Sequence, residues 1–519
     1  MDYWAKAKLN RSQAMLFSPT LDETVGENHP VRFFDEVLRG VDWKKWEMSF
    51  NGEIGQPPIH PRIIAGALLY GLNRRIRSSR QLEDACINRV DFMWLVEGRR
   101  IDHTTFCKFR TKYGEELKGL FRQVGQVAMK MGVLQLLAVS IDGTRVRSNS
   151  SRHNTARQKG LEKILEDLQK QIDEALAQMA EADRREDGLF GEESSGNELP
   201  KGISKLKDRQ EKLKEALAEV KQSDEARKKK HRDRRETGTQ APLADLESKV
   251  LPNKEGGFAP NYTPMATIEN GGFIVDADVI NDSSESKVAP EAVDRIEENF
   301  GKRPKEMLAD GAYGSGENLS EMENRGVELL TPGDESRVSD KNPARREDPE
   351  KPVPEDKWED LPRRKGTSQL SATAFTYDKE RDCYWCPMGR KLGYYCRDRK
   401  GGATRIYQSK SCEGCGLAAI CLSKTGRLRT VRRDQYEEHR DRLARRMSSK
   451  ENQEKYSKRF WMGETPFAHI KAVIGLRQFL LRGMGKVKTE WLWACTAYNL
   501  GKLAIQWARE RDRLDLAPG

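Results

Sequence analysis

The sequence predicts an α/β core built on a mixed sheet, preceded by an all-α N-terminal region and interrupted by an antiparallel helical arm and a small Cys-rich insertion. Three observations predict it. Short β-forming runs, two of them ending in Asp142-Gly143 and Asp310-Gly311, alternate with helical patterning. Between Leu161 and Val220 apolar residues recur at alternating four- and three-residue steps, the pattern of paired helices. Six of the nine cysteines fall between Cys383 and Cys421. At 519 residues the chain is too long for one ordinary core, so these features are read as separate units.

Composition narrows the partners. Only 36% of residues are apolar while 33% are charged, which places much polarity on arms, linkers or a binding surface. Lys and Arg outnumber Asp and Glu by 92 to 81, and the net charge of +11 favours a polyanion such as nucleic acid. No run approaches the roughly 18–20 apolar residues that cross a bilayer, and Met1–Arg11 has no apolar signal core, so no membrane partner and a cytoplasmic location are expected. In a reducing compartment the clustered cysteines read as metal ligands before they read as disulfides. No P-loop occurs, so ATP is not expected.

Residues 1–132 read as helical, with core-facing steps in Val31–Leu38, Ile63–Leu72 and Leu117–Met131. Pro57, Pro58 and Pro61 suit a loop and a helix first turn, and Asp102 before His103-Thr104-Thr105 suits a helix start. Arg74, Arg75, Arg77 and Arg80 crowd one stretch between two helices. Such cations meet phosphates in helix-turn-helix readers; a solvated helix face is the equal alternative. Residues 133–150 hold a first strand, Leu136–Ile141, ending in Asp142-Gly143-Thr144. Residues 151–240 form the hairpin arm, with the Gly-, Ser- and acid-rich stretch Asp183–Gly202 between its helices and the basic run Lys228–Arg235 closing it. In 241–335, Tyr262–Ile268 and Phe273–Ile280 flank Asn270-Gly271-Gly272, a hairpin signal. A helix Glu285–Phe300, a strand Met307–Ala309 and a strand Val327–Leu330 follow. Three strands, a helix and a fourth strand is the order of a ribonuclease H-like sheet. Residues 336–370 read as a charged, Pro-rich mobile linker, 371–435 as the Cys-rich insertion and 436–519 as helices.

In such a sheet the first and fourth strands are neighbours, so Asp142 and Asp310 present two carboxylates side by side. Like charges this close repel, and hard divalent cations are the usual remedy. A third carboxylate on a later helix completes a site for two Mg²⁺ ions, and Glu464 is the candidate. Glu464 and Lys471 are two helical turns apart and share a face if the helix runs unbroken past Pro466. A carboxylate for metal with a lysine for phosphate suits phosphodiester chemistry, although a surface pair on an amphipathic helix is the plainer reading of those two residues alone. Cys383-x-x-Cys386 and Cys412-x-x-Cys415, with Cys396 and Cys421 nearby, give six candidates for a four-cysteine structural Zn²⁺ site. The flanking Arg427, Arg429, Arg432 and Arg433 suggest DNA contact.

Together, Ser140-Ile141-Asp142-Gly143-Thr144, Leu308-Ala309-Asp310-Gly311-Ala312-Tyr313-Gly314 and the segment carrying Tyr456, Arg459, Glu464 and Lys471 resemble bacterial insertion-sequence transposases of the Asp-Asp-Glu type. The branch is the one whose catalytic helix bears a Tyr-Arg-Glu-Lys signature. Ser78-Ser79-Arg80-Gln81-Leu82-Glu83, Trp94-Leu95 and the stretch Asp102–Arg110 resemble the helical N-terminal domain of the same proteins, and Arg482-Gly483 and Asn499–Leu503 their C-terminal helices. The resemblance implies that Asp142, Asp310 and Glu464 hold two Mg²⁺ or Mn²⁺ ions. Tyr456, Arg459 and Lys471 would contact the transposon end, and residues 1–132 would bind DNA. It also favours Cys386, Cys412, Cys415 and Cys421 as the zinc set, with Cys383 the alternative. Expected partners are double-stranded DNA, both transposon ends and target, and further copies of the chain in a homodimer or larger synaptic complex on the bacterial nucleoid. Two competitors remain: a non-catalytic DNA-binding protein derived from a transposase, and a structure-selective nuclease of the same fold.

Overall fold

The computed structural model describes residues 20–49, 58–190, 201–230, 238–253, 256–281, 287–398, 404–423 and 425–515. The N-terminal region is helical: α1 (Pro30–Arg39), α2 (Lys44–Glu47), α3 (Pro61–Asn73), α4 (Ser79–Asn88), α5 (Val90–Leu95), α6 (His103–Lys112) and α7 (Gly114–Lys130). Local chemistry sets these bounds. Pro61 fills the first turn of α3, where its missing N–H leaves no carbonyl unpaired. Asp102 caps α6, accepting from the amides of Thr104 at 2.8 Å and Thr105 at 3.0 Å. Pro57 lies outside the described residues.

The core begins with β1 (Ala138–Gly143) and β2 (Val146–Arg147). The chain then leaves through β3 (Thr155–Ala156) into α8 (Gln158–Phe190) and α9 (Lys201–Lys230), and returns through β4 (Ala241–Pro242), which pairs with β3. Leu161, Leu168 and Ile172 of α8 bury against Leu213, Ala216 and Val220 of α9. Glu162 pairs with Lys221 at 3.0 Å and Gln169 accepts from Gln210 at 2.5 Å, so the two helices run antiparallel. Most of the basic run Lys228–Arg235 lies outside the described residues.

The sheet resumes with β5 (Lys249–Pro252), β6 (Phe258–Glu269) and β7 (Ile274–Ile280), followed by α10 (Val288–Phe300), β8 (Glu306–Leu308), α11 (Gly316–Asn324) and β9 (Glu328–Leu330). The expected hairpin turn is present: Gly272 takes a φ of +81° and donates to the Glu269 carbonyl at 2.7 Å. Across the centre the strand order is β7-β6-β1-β8-β9, with β6 antiparallel to both neighbours and β8 and β9 parallel to β1. The other half of β6 carries β2 and β5.

A second, antiparallel sheet forms from β10 (Thr376–Asp378), β11 (Cys383–Trp385), β12 (Lys391–Arg397), β13 (Arg405–Ser409) and β14 (Thr430–Arg433), with the short α12 (Ala418–Cys421) before its last strand. The segment expected to be a mobile linker is packed onto it. Ala344, Val353, Leu361 and Leu370 are buried in this sheet's own apolar cluster, and the Val353 amide donates to the Pro387 carbonyl at 2.7 Å. The segment has no periodicity because it has almost no regular structure, yet its few apolar side chains each fill a place on the sheet.

The chain ends with α13 (Glu437–Met447), α14 (Lys450–Ser457), α15 (Arg459–Ala472) and α16 (Met484–Asp515). Trp491 and Trp493 of α16 are buried, their indole N–H groups donating to the carbonyls of Met265 and Arg110. Thus α16 packs between the helical region and the sheet. Among the described residues no helix is long and apolar enough to cross a membrane.

Candidate active site

The β1 and β8 register places Ser140 beside Leu308. Two residues further along each strand, on the same side of neighbouring parallel chains, come Asp142 and Asp310. Local hydrogen bonds orient them: the Gly143 amide donates to Asp142 Oδ1 at 2.9 Å, and the Ala312 amide to Asp310 Oδ1 at 2.5 Å. Thr331 fixes the Asp310 backbone by donating to its carbonyl at 2.7 Å.

Helix α15 crosses this end of the sheet. Its first residue, Arg459, sets one guanidinium nitrogen 4.0 Å from Asp142 Oδ1 and 3.8 Å from Asp310 Oδ2. One turn on, Gly463 lies against Asp142 so closely that a Cβ there would stand 3.1 Å from Oδ2. At the far end, Lys471 Nζ donates to Thr144 Oγ1 at 2.5 Å, just beyond β1. The helix does run on through Pro466, so Glu464 and Lys471 share a flank. Glu464 is exposed beside Gly463. Tyr456, in the last turn of α14, packs with Leu308, Leu330 and Met462. Burial pushes its hydroxyl pKa up, Arg459 opposes the shift, and the carboxylates of Asp310 and Asp142 add to it. Asp142, Asp310, Tyr456 and Arg459 are therefore one electrostatic neighbourhood. Among the described residues no group of three or more His, Cys, Asp or Glu side chains is arranged to hold a metal ion.

The arginine cluster differs from the surface that the sequence suggested. Arg74 donates to the Tyr70 hydroxyl at 2.8 Å. Arg75 donates to the carbonyls of Val473 and Ala472, and Arg77 to those of Gly475 and Gln478 and to Glu490. Arg80 alone of the four is exposed without a described partner of this kind. Nothing in their one-dimensional spacing distinguishes a guanidinium aimed at a phosphate from one aimed at a carbonyl four hundred residues away.

In the second sheet, Cys386, Cys412, Cys415 and Cys421 line one small cavity with Leu370, Leu392 and Arg429. Burial pushes the Cys421 thiol up to about 11, Arg429 opposes, and Cys412, Cys386 and Cys415 each add to the rise. Cys386 is likewise raised, by burial first and by Cys415 and Cys412 after it. Cys383 is buried elsewhere on β11 and Cys396 lies on β12; neither lines the cavity. Arg429, expected to help bind DNA, is instead 7% exposed and donates to the carbonyls of Cys421 and Leu370. Arg433 lies over the Tyr377 ring at 3.8 Å, and Arg432 pairs with Asp398 at 3.3 Å. Gly463 and the inward role of Arg429 carry no signal in the sequence, because each depends on a chain segment far away.

Two family models match this chain. A transposase domain (DUF772) covers residues 19–112, the span of α1 to α6, and a transposase DDE domain covers residues 385–504, from β11 into α16. The second match contains Glu464, Lys471 and the four cavity cysteines. Both matches are to transposase domains, and together they support an insertion-sequence transposase of the Asp-Asp-Glu type. Asp142 and Asp310 of this transposase lie between the two matched spans, so their place in the site rests on the geometry above. Neither a curated protein nor a solved structure matches the chain.

Proposed function

We propose that this transposase binds the terminal inverted repeats of an insertion sequence, cleaves them with two divalent metal ions and transfers the resulting 3′ ends to target DNA. One observation carries the reading: Asp142 and Asp310 end adjacent parallel strands and flank a single guanidinium on the helix that bears Glu464 and Lys471. The strand order β7-β6-β1-β8-β9, with only β6 antiparallel to its neighbours, supports a ribonuclease H-like core with the α8–α9 arm inserted after its first strands.

The donor set fits hard cations. Two carboxylates held by backbone amides, with a positive group between them, mark a place where negative charge needs compensation. Asp142 and Asp310 would hold Mg²⁺ or Mn²⁺, with Glu464 as the third carboxylate. Bound there, two such ions activate an attacking oxygen and stabilise the leaving one. The residues of the chain do the rest. Lys471, which donates to Thr144 just beyond β1, would meet a phosphate of the transposon end, with Arg459 and Tyr456 beside Asp142 and Asp310. Two ends must be cut in concert, so the working form is a homodimer or larger synaptic complex on the nucleoid.

The side-chain chemistry around the cysteine cavity supports a Zn²⁺ reading. Cys386 Sγ accepts from the Arg390 amide at 3.3 Å, Cys412 Sγ lies 3.0 Å from Ser409 Oγ, and buried Arg429 supplies positive charge beside the sulfurs. Donors and a cation around sulfur are what thiolate ligands require. Cys386, Cys412, Cys415 and Cys421 would hold one structural ion that ties the sheet together, with no position left open for substrate.

The test is cleavage of a labelled element end with Mg²⁺ or Mn²⁺. Wild type should leave a 3′-hydroxyl and join it to a second DNA, while Asp142→Asn, Asp310→Asn and Glu464→Gln should bind the end without cutting. Cutting without joining would support the structure-selective nuclease. Binding without cutting in the assembled wild-type complex would support the non-catalytic DNA-binding protein.

A further inference from the structure

The chain after α15 turns sharply and is held from outside. The last carbonyls of a helix have no partner within it, and they concentrate the negative end of its dipole. In α15 the His469 carbonyl is taken by the amides of Val473 and Ile474 and the Ile470 carbonyl by that of Leu476. Four later carbonyls are taken from a different region of the molecule. Arg75, in the turn between α3 and α4, donates to the Ala472 carbonyl at 2.8 Å and the Val473 carbonyl at 3.0 Å. Arg77 donates to the Gly475 carbonyl at 2.7 Å, the Gln478 carbonyl at 2.6 Å and Glu490 of α16 at 2.9 Å. Glu490 is buried and also accepts from the amides of Leu480 and Leu481. Arg110 of α6 in turn donates to the Arg77 carbonyl at 2.9 Å.

Two backbone features show how tightly this is set. Arg75 sits at φ +63°, a left-handed conformation that a non-glycine residue adopts at some cost in energy. Gly475, whose carbonyl Arg77 binds, sits at φ +83°. Beyond Gly475 the chain runs beside β2: Arg147 donates to the Arg477 carbonyl and its own carbonyl accepts from Phe479. The segment is thus fixed between the helical region on one side and the edge of the sheet on the other.

The geometry points to Arg75 and Arg77 as positioning residues: they fasten the C-terminal end of α15 to the N-terminal helical region, and so set where Lys471, one residue before Ala472, and Glu464 stand relative to Asp142. The planar fork of arginine holds two carbonyls in one fixed geometry, which the freely rotating ammonium of a lysine does not. The catalytic part of this inference rests on the reading of α15 as the catalytic helix. Its mechanical part does not.

The experiment uses the full chain and two substitutions. Arg75→Gly removes the guanidinium while leaving a residue suited to a positive φ, and Arg77→Lys keeps the charge but not the fork. Hydrogen exchange is followed by peptide, together with thermal unfolding, end-DNA affinity at several salt concentrations, and cleavage. The expected result is exchange several-fold faster within residues 467–478 and little change elsewhere. End-DNA affinity should stay within about twofold, with an unchanged salt slope. Cleavage should fall by about 10- to 100-fold, as a displacement of catalytic groups by about 1 Å produces. Unchanged exchange in 467–478 with weaker binding and a salt slope shallower by about one would mean that these arginines meet phosphates, and would overturn the inference. So would loss of protection throughout the helical region, which would make them general scaffold. If wild type cuts no DNA, the functional reading fails, while the exchange result still decides whether the clamp exists.

Discussion

At Gly463 the requirement for a missing side chain can be separated from the requirement for a helix. A Cβ there would meet Asp142 Oδ2 at 3.1 Å, so Gly463→Ala must displace the carboxylate or tilt α15. Alanine is the better helix former by about 1 kcal/mol, which offsets the cost of that small shift. The expected outcome is a thermal midpoint unchanged or raised, with metal-dependent cleavage about tenfold or more below wild type; full cleavage would show that the contact has slack. His469, three turns into the same helix, offers a pH test. Burial lowers its pKa and Lys502 adds to the lowering, while its ring stands edge-on to Tyr498 at 5.2 Å. The folded state therefore prefers the neutral ring, and the unfolded chain takes up a proton below the ordinary histidine value of about 6.5. Its contribution to stability is complete above that pH and is lost as pH falls through the folded-state value. Urea midpoints measured from about pH 8 down to about pH 5 should fall less steeply for His469→Gln than for wild type.

Among the elements, the second sheet depends on its cavity. Its apolar cluster is small, built around Tyr384, Leu392, Tyr407 and Val431, and an ion bound by the four cavity cysteines would tie the sheet together. Cys386→Ser or Cys415→Ser should lose one equivalent of Zn²⁺, measured by metal analysis of the purified chain, and expose the 371–435 region to protease. Cys383→Ser should keep the ion, because that thiol lies on another part of β11; zinc loss there would assign the set wrongly. Elements differ in how far the sequence alone reveals them. The β6–β7 hairpin was legible because Asn270-Gly271-Gly272 acts within three residues, and the α8–α9 pair because its apolar stripe repeats for many turns. The 336–370 segment was not: Val353, Trp358 and Leu361 become core only against a sheet formed later in the chain. The same physics governs the site. Asp142 and Asp310 follow from strand order, which local pattern sets, whereas the inward turn of Arg75, Arg77 and Arg429 depends on carbonyls that no spacing reveals.

On the scale of the whole molecule, the helical region and the central sheet share one apolar core, running from Val25 through Val139 and Ile268 to Ala504, while the arm and the Cys-rich sheet each have their own. The N-terminal region therefore cannot move as an independent DNA-binding arm; it is welded to the sheet through α16. One close approach in that weld is Gly501 of α16 against Asn73 of α3. Asn73 Nδ2 donates to the Ala497 carbonyl at 2.8 Å and the Leu69 carbonyl at 3.2 Å, which pins its oxygen 2.2 Å from where a Gly501 Cβ would stand. The asparagine cannot swing aside without giving up both bonds. Gly501→Ala should consequently destabilise the chain by about 1–3 kcal/mol, as overpacking of a buried contact does. Asn73→Ala alone should lose about 1 kcal/mol with its hydrogen bonds. Combined, the two should cost less than their sum, because shortening Asn73 opens the space that the new methyl needs. Denaturant unfolding of the four proteins measures this coupling. An additive pair would show that α3 and α16 separate at this contact, and that the helical region is less firmly joined to the central sheet than its buried contacts require.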